Sequence, residues 1–204
     1  FNNWRFVKQF LKIYSHGVAV TPDGNVWISG YGGTIDPNHV PGKALRPILI
    51  FKPDGTPVDT IWRVTVSGIT DTLLNAARGI SVDYQGNILY SAYDALYKIN
   101  YKTRQGIAKV IPKAATALTK AVSDNQGNIA VAFVVSASGD GIVTFTSDLI
   151  PLGAVVAPGD VVNSFARDMT MTPNGNDIYL GCTGGESVAK YHSANGIYGP
   201  YTFE

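Results

Sequence analysis

The sequence predicts an all-β protein: a β-propeller of about four recognisable four-stranded blades, or a segment of a six- or seven-bladed one. Three observations predict it. A hairpin word, "HGVAVTPDGNVWISG" from residue 16, returns as "RGISVDYQGNILYSA", "KAVSDNQGNIAVAF" and "RDMTMTPNGNDIYLGC". The Gly-Asn pairs of these words begin at Gly24, Gly86, Gly127 and Gly175, spaced 62, 41 and 48 residues apart. The two shorter spacings match the ~40–50 residues of a propeller blade. Helical periodicity is nearly absent: residues 71–77 have room for a turn or two, and Pro112 breaks the next stretch. A sandwich is also built from hairpins. A four-strand word repeated in register better suits small sheets that bury their faces against neighbours in a radial array.

Each unit parses in the same order. In the first, residues 16–62, an apolar strand over 17–20 meets the turn Thr21-Pro22-Asp23-Gly24, where Gly accepts the positive φ of a hairpin turn. Residues 25–29 alternate as the second strand and 47–51 ("PILIF") form the third. "KPDGTPVDTI" adds another Asp-Gly turn and the outer strand. The second unit, 78–112, places strands at 79–82, 87–91, 95–99 and 107–111. The third, 119–156, places them at 121–123, 128–134, 141–145 and 149–155. The fourth, 167–204, places them at 168–171, 177–181 and 187–191, with a weaker one near 198–203. The long first interval holds two insertions, 31–46 and 61–77, rich in Gly, Pro, Thr and Asp. Residues 1–15 read as the outer strand of a preceding or closing blade. The chain is then either a stretch of a larger propeller or a compact domain closed by that strand. The lack of an atypical capping repeat favours the stretch.

Composition narrows the function classes. Lys and Arg total 16 against 15 Asp and Glu, a balance that argues against an electrostatic nucleic-acid binder, which should show a basic stripe. No apolar run approaches the length of a membrane span. The single cysteine, Cys182, excludes an internal disulfide and a multi-cysteine zinc site, and reads as a small buried side chain. The chain begins at Phe1, so it reads as a processed chain or a fragment. Low charge with abundant Gly, Ser, Thr, Asn and Tyr leans towards export.

"GVAVTPDGNVWIS…ILIFKPDG" and "GISVDYQGNILYSA…LYKINYKTRQG" resemble the NHL and YVTN families of β-propeller repeats, over nearly the whole chain. "MTPNGNDIYL" and "VAKYHSANGIYGPY" resemble propellers of secreted bacterial proteins, which implies an extracytoplasmic location. The resemblance implies inner strands along a central channel. Loops leading into those strands share one face, and the Gly-Asn turns lie on the other. Such propellers host binding, hydrolytic and lyase activities.

Within that frame His16, Arg78, Thr119-Lys120 and Arg167 precede equivalent inner strands and should ring one channel mouth. His16, Arg78, Lys120 and Arg167 are the candidate binding residues, since convergent donors favour an anion or a carboxylate. The alternative is that they satisfy neighbouring carbonyls or carboxylates such as Asp168 and close the channel. The 31–46 loop should overhang the same face and bring a second binding group, Asp36, Asn38 and His39. With His16 these have the chemistry of a metal set without its ligand spacing. Loops this long are often functional, which points to a protein or glycan partner there.

Other motifs carry less. The Asp-Gly-Asn turns lack the closing Glu of an EF-type calcium loop. "SGYGG" is followed by no helix, so it is no phosphate loop, and there is no Gly-x-Ser-x-Gly elbow. His192 ends a third strand, suited to a surface or inter-blade role. Trp27, Tyr90, Phe133 and Tyr179 stand at or near corresponding second-strand positions, suited to packing between blades rather than a sugar-stacking ladder. Gluconolactonase-like propellers are expected to set Glu, Asn and Asp on a divalent metal, but Glu occurs here only at Glu186 and Glu204. Propeller lyases are expected to use channel histidines, and His16 alone fits.

The expectation is therefore a non-catalytic binding or scaffold propeller with no catalytic residues, cofactor or metal. Its partner is a protein, a glycan or a small anion, not nucleic acid. The remaining blades of a larger propeller or a second copy are further partners. The alternative is a metal-dependent lactonase- or lyase-like enzyme acting at the mouth.

Overall fold

A computed structural model describes residues 15–30, 45–74, 77–112, 117–134, 141–156, 166–183 and 186–204. Among them, four antiparallel four-stranded sheets succeed one another along the chain, accompanied by one two-stranded hairpin. The first sheet is β1 (Ser15–Val20), β2 (Val26–Gly30), β3 (Ile48–Phe51) and β4 (Pro57–Ile61). The hairpin is β5 (Arg63–Val66) and β6 (Ile69–Thr72). The second sheet is β7 (Gly79–Val82), β8 (Ile88–Ser91), β9 (Leu96–Ile99) and β10 (Gly106–Val110). β11 (Leu118–Ser123), β12 (Ile129–Phe133), β13 (Gly141–Phe145) and β14 (Pro151–Val156) form the third. β15 (Ala166–Met171), β16 (Asp177–Cys182), β17 (Ser187–His192) and β18 (Thr202–Phe203) form the fourth.

The recurring turn explains the recurring word. In the second unit Asp83 Oδ1 accepts the backbone N–H groups of Gln85 and Asn87 at 2.9 and 2.7 Å, and Oδ2 accepts Asn87 Nδ2 at 3.3 Å. Asp124 does the same for Gln126 and Asn128 in the third unit. In the first, Asp23 takes Thr21 Oγ1 at 2.6 Å and the Asn25 amide. Partial burial works against the Asp23 carboxylate, but these donors hold its pKa below the ordinary value. Gly86 closes its turn at φ +88°, in the left-handed region that favours glycine. Asp and Asn here serve the chain's own backbone.

The sheets pack face to face through their inner strands: β1 adjoins β7, β7 adjoins β11 and β11 adjoins β15. Three apolar cores fill the gaps. Trp27, Ile50, Ile80 and Tyr90 lie between the first and second sheets. Leu89, Leu96, Phe133 and Phe145 lie between the second and third. Ile142, Met169, Leu180 and Cys182 lie between the third and fourth. Trp27, Tyr90 and Phe133 therefore pack between sheets, whereas Tyr179 is exposed on the outer side of the fourth. Cys182 is buried, with Sγ directed at the Leu180 carbonyl.

Close approach of the inner strands sets a tight steric limit. A Cβ at Gly17 would stand 2.9 Å from the Ile80 nitrogen, and one at Gly79 would collide with the Thr119 carbonyl oxygen. Neither obstacle is a flexible side-chain end. Gly79→Ala is expected to destabilise by roughly 1–3 kcal/mol or more, as overpacking against backbone does. Urea denaturation checks it, and an unchanged midpoint would contradict the close packing of β7 on β11.

Two expectations need correction. Of residues 71–77, expected to have room for a helical turn or two, 71 and 72 end strand β6 and 75–76 lie outside the described residues; Ser67 and Gly68, both at positive φ, fold 63–72 into a tight hairpin. That hairpin lies on β10 of the second sheet, where Asp71 meets Lys109 at 2.7 Å and Tyr97 at 3.3 Å. It clips the first two sheets together from outside. The inner strands also begin earlier than expected, at Ser15, Leu118 and Ala166. The strand expected over 1–15 falls, except for Ser15, outside the described residues.

Candidate functional site at the channel mouth

The early start of the inner strands has one cause. Ser15 faces Gly30 and Gly17 faces Ser29, so His16 is an extra residue bulged out of the ladder. Leu118 faces Phe133 and Lys120 faces Ala132, leaving Thr119 bulged. Ala166 faces Cys182 and Asp168 faces Gly181, leaving Arg167 bulged. In the second sheet Gly79 faces Ser91, and the Arg78 N–H donates to the same Ser91 carbonyl at 2.9 Å. Again two residues stand against one. A bulge re-aims a side chain out of the sheet's alternation, and here the same bulge occurs at the head of all four sheets.

The four bulged residues meet. His16, Arg78, Thr119 and Arg167 line a single cavity of about 370 Å³. His16 and Arg167 are exposed, Arg78 is half-buried, and Thr119 is buried. The Thr119 hydroxyl donates to the Ala132 carbonyl at 3.2 Å, so Thr119 builds the floor. The Arg78 guanidinium lies over the Tyr93 ring, 5.8 Å from its centroid, and its Nε–H is buried without an acceptor among the described residues. The His16 pKa is held below the ordinary imidazole value by partial burial, then by the charges of Arg78 and Arg167. Among the described residues, two guanidiniums and an imidazole line the cavity.

Lys120 does not take the place expected for it. It reaches sideways to Asp168 at 3.4 Å, and the neighbouring Thr119 lines the mouth. The bulge is the reason: it gives the inward direction to residue 119 and returns 120 to the ladder. Asp36, Asn38 and His39 lie outside the described residues. His192 is on the turn face, its Nδ1 2.8 Å from Asp177 Oδ1, and this hydrogen bond holds the Asp177 carboxyl below its ordinary value. Among the described residues no three of His, Cys, Asp and Glu are grouped to hold a metal. No described helix is long and apolar enough to cross a membrane.

No protein-family model matches the sequence, and no curated relative does. Solved structures share the fold. A candidate 6-phosphogluconolactonase from Bacteroides uniformis is similar over 93% of this chain with a TM-score of 0.64 and 14% identity. A streptogramin B lyase is similar over 93% with a TM-score of 0.60 and 15% identity. TolB from Acinetobacter baumannii is similar over 93% with a TM-score of 0.58 and 9% identity. The chain spans 53%, 53% and 42% of those three chains, about half their length. Four sheets packed face to face on their inner strands, with these likenesses, make the chain a segment of a β-propeller.

Proposed function

We propose that this propeller segment is a binding module of an extracytoplasmic protein, and that its channel mouth holds a small ligand through a carboxylate or phosphate group. One observation carries the reading: the residue bulged from each of four successive inner strands faces one cavity, and three of the four are cationic or protonatable. Arg78 supplies a planar two-pronged donor braced on Tyr93. Arg167 faces it and His16 lies between their fields. This donor set repels a divalent cation, so an anion suits it better than the metal of a lactonase-like mechanism.

Titration with phosphate and with citrate, followed by calorimetry and thermal shift, tests the proposal. Both anions are expected to bind and to raise the melting temperature. Arg78→Ala should weaken binding roughly 10- to 100-fold, the loss of about 1.5–3 kcal/mol from a charged hydrogen bond. Lys120→Ala, which alters the Asp168 pair outside the cavity, should leave affinity within about twofold. Equal affinity in the Arg78→Ala protein would sink the proposal. A divalent metal retained on purification and lost with His16→Ala would favour the enzyme reading instead.

A further inference from the structure

Arg78 and the ring beside it are both fixed by the backbone. The Arg78 N–H donates to the Ser91 carbonyl at 2.9 Å, and the next residue, Gly79, lies so close to the Thr119 carbonyl that a Cβ would collide with it. Tyr93 belongs to the turn that joins β8 to β9, where the Ala92 N–H donates to the Ala95 carbonyl at 2.9 Å. The Tyr93 carbonyl accepts the Leu118 N–H at 3.1 Å, at the head of β11 and one residue before the floor residue Thr119. A turn of the second sheet is thereby tied to the inner strand of the third. The Tyr93 ring projects from that turn, 42% exposed, with the Arg78 guanidinium over it. A single exposed aromatic residue is ordinary. One tethered beside a cation that lines a cavity is a device.

The contact decides which edge of Arg78 a ligand can meet. Nε is buried, without an acceptor among the described residues. The two terminal amino groups are left as the edge that faces the cavity. That edge is a pair of parallel N–H donors, matched to two oxygens on one centre. Lys109 also lies over a ring, 5.4 Å from the Tyr97 centroid, but it meets Asp71 at 2.7 Å and is neutralised within the fold. Among the described residues no carboxylate pairs with Arg78.

We propose that Tyr93 is a positioning residue of the mouth: it holds Arg78 as an end-on, two-pronged donor, so that the mouth selects oxyanions offering two oxygens from one centre. The inference rests on the anion-binding reading of the mouth and adds what the ligand must present. Carboxylate and phosphate both meet that requirement. A guanidinium ordered before the ligand arrives binds it about 2- to 10-fold more tightly, the ordering cost of one long side chain.

Two measurements test it, and the first needs no ligand. NMR relaxation of the Arg78 Nε–H reports whether the guanidinium is held. It should match the rigid backbone in the parent and in Tyr93→Phe, which keeps the ring, and show a mobile group in Tyr93→Leu. The second is calorimetric titration with citrate and, separately, with phosphate. Tyr93→Leu should bind about 2- to 10-fold more weakly and Tyr93→Phe like the parent. Arg78→Lys keeps the charge without the fork and should bind more weakly than the parent. Adding Tyr93→Leu to Arg78→Lys should then change affinity by less than about twofold, whereas a leucine that merely deformed the mouth would weaken both backgrounds. Either anion showing this pattern supports the proposal, and the tighter of the two names the ligand class. A parent that binds neither anion overturns the mouth reading and this inference with it. A parent that binds while Tyr93→Leu binds equally well, or keeps its Arg78 Nε–H ordered, overturns the role of Tyr93 and leaves the mouth reading standing. Parent affinity in Arg78→Lys would overturn the fork.

Discussion

Lys98→Ala is expected to lower the unfolding free energy by about 3 kcal/mol, the lower end of the cost of breaking a buried ion pair from one side. Lys98 Nζ lies 2.9 Å from Asp83 Oδ2, and the two side chains are 4% and 0% exposed. The same ammonium donates to the Ser147 carbonyl of the next sheet. It therefore joins a turn of the second sheet to a turn of the third. The lower end applies because Asp83 keeps three other donors, the Gln85 and Asn87 N–H groups and Asn87 Nδ2. Asp83→Asn should cost more, about 5 kcal/mol: the amide oxygen keeps the Gln85 and Asn87 N–H groups, but the Oδ2 that accepts Asn87 Nδ2 and pairs with Lys98 is lost, and a buried ammonium is stranded on one carbonyl. The double variant Asp83→Asn/Lys98→Met should cost less than the two singles together, because neither charge is left alone. Urea midpoints at constant slope read all three. Single variants within about 0.5 kcal/mol of the parent, the range of ordinary surface changes, would show that the pair does not lock the sheets.

Lys98 also shows where sequence reading stops. The repeated hairpins are legible because each depends on a short run of chain: a Gly at positive φ, an acceptor side chain three residues before it or beside it, and alternation on either side. The order of sheets follows from repetition. A buried lysine inside "LYKI" does not show, since nothing local distinguishes it from a solvent-facing one; only the arrival of Ser147 from 49 residues away does. The mouth behaves similarly. His16, Arg78 and Arg167 are found by alignment to their hairpins. The bulge that aims them is invisible, because it is a count of residues on two strands and demands no residue type: His, Arg, Thr and Arg all fill it. A one-residue displacement turns a strand position to the opposite face, which is how Lys120 stands in for Thr119 on paper. The hairpin of residues 63–72 had a readable signal, Ser67-Gly68 between alternating residues. Val188 and Leu96 hold the same register position and look alike in the sequence, yet Leu96 is buried between sheets and Val188 is exposed.

Anion affinity at the mouth is expected to rise as pH falls below about 6.5, by up to tenfold per unit, and His16 is the reason. Partial burial and the charges of Arg78 and Arg167 disfavour the imidazolium, so folding depresses its pKa. The sign follows directly. Above the unfolded value near 6.5 the ring is neutral in both states and the folded protein carries no penalty. As pH falls through 6.5 the unfolded chain takes up a proton first, and stability is lost until the folded pKa is passed. A bound anion offsets the two guanidinium charges and restores the imidazolium, so proton and anion favour each other by the same factor. Among the described residues, the charged groups beside the ring are Arg78 and Arg167. The Lys120–Asp168 pair lies outside the cavity. Sulfate, whose own charge is constant between pH 5 and 8, is the appropriate probe. Its affinity should climb on acidification in the parent and stay level in His16→Gln, which retains a hydrogen-bonding side chain without the proton. A flat profile in the parent, or an equal slope in His16→Gln, would remove His16 from the anion site.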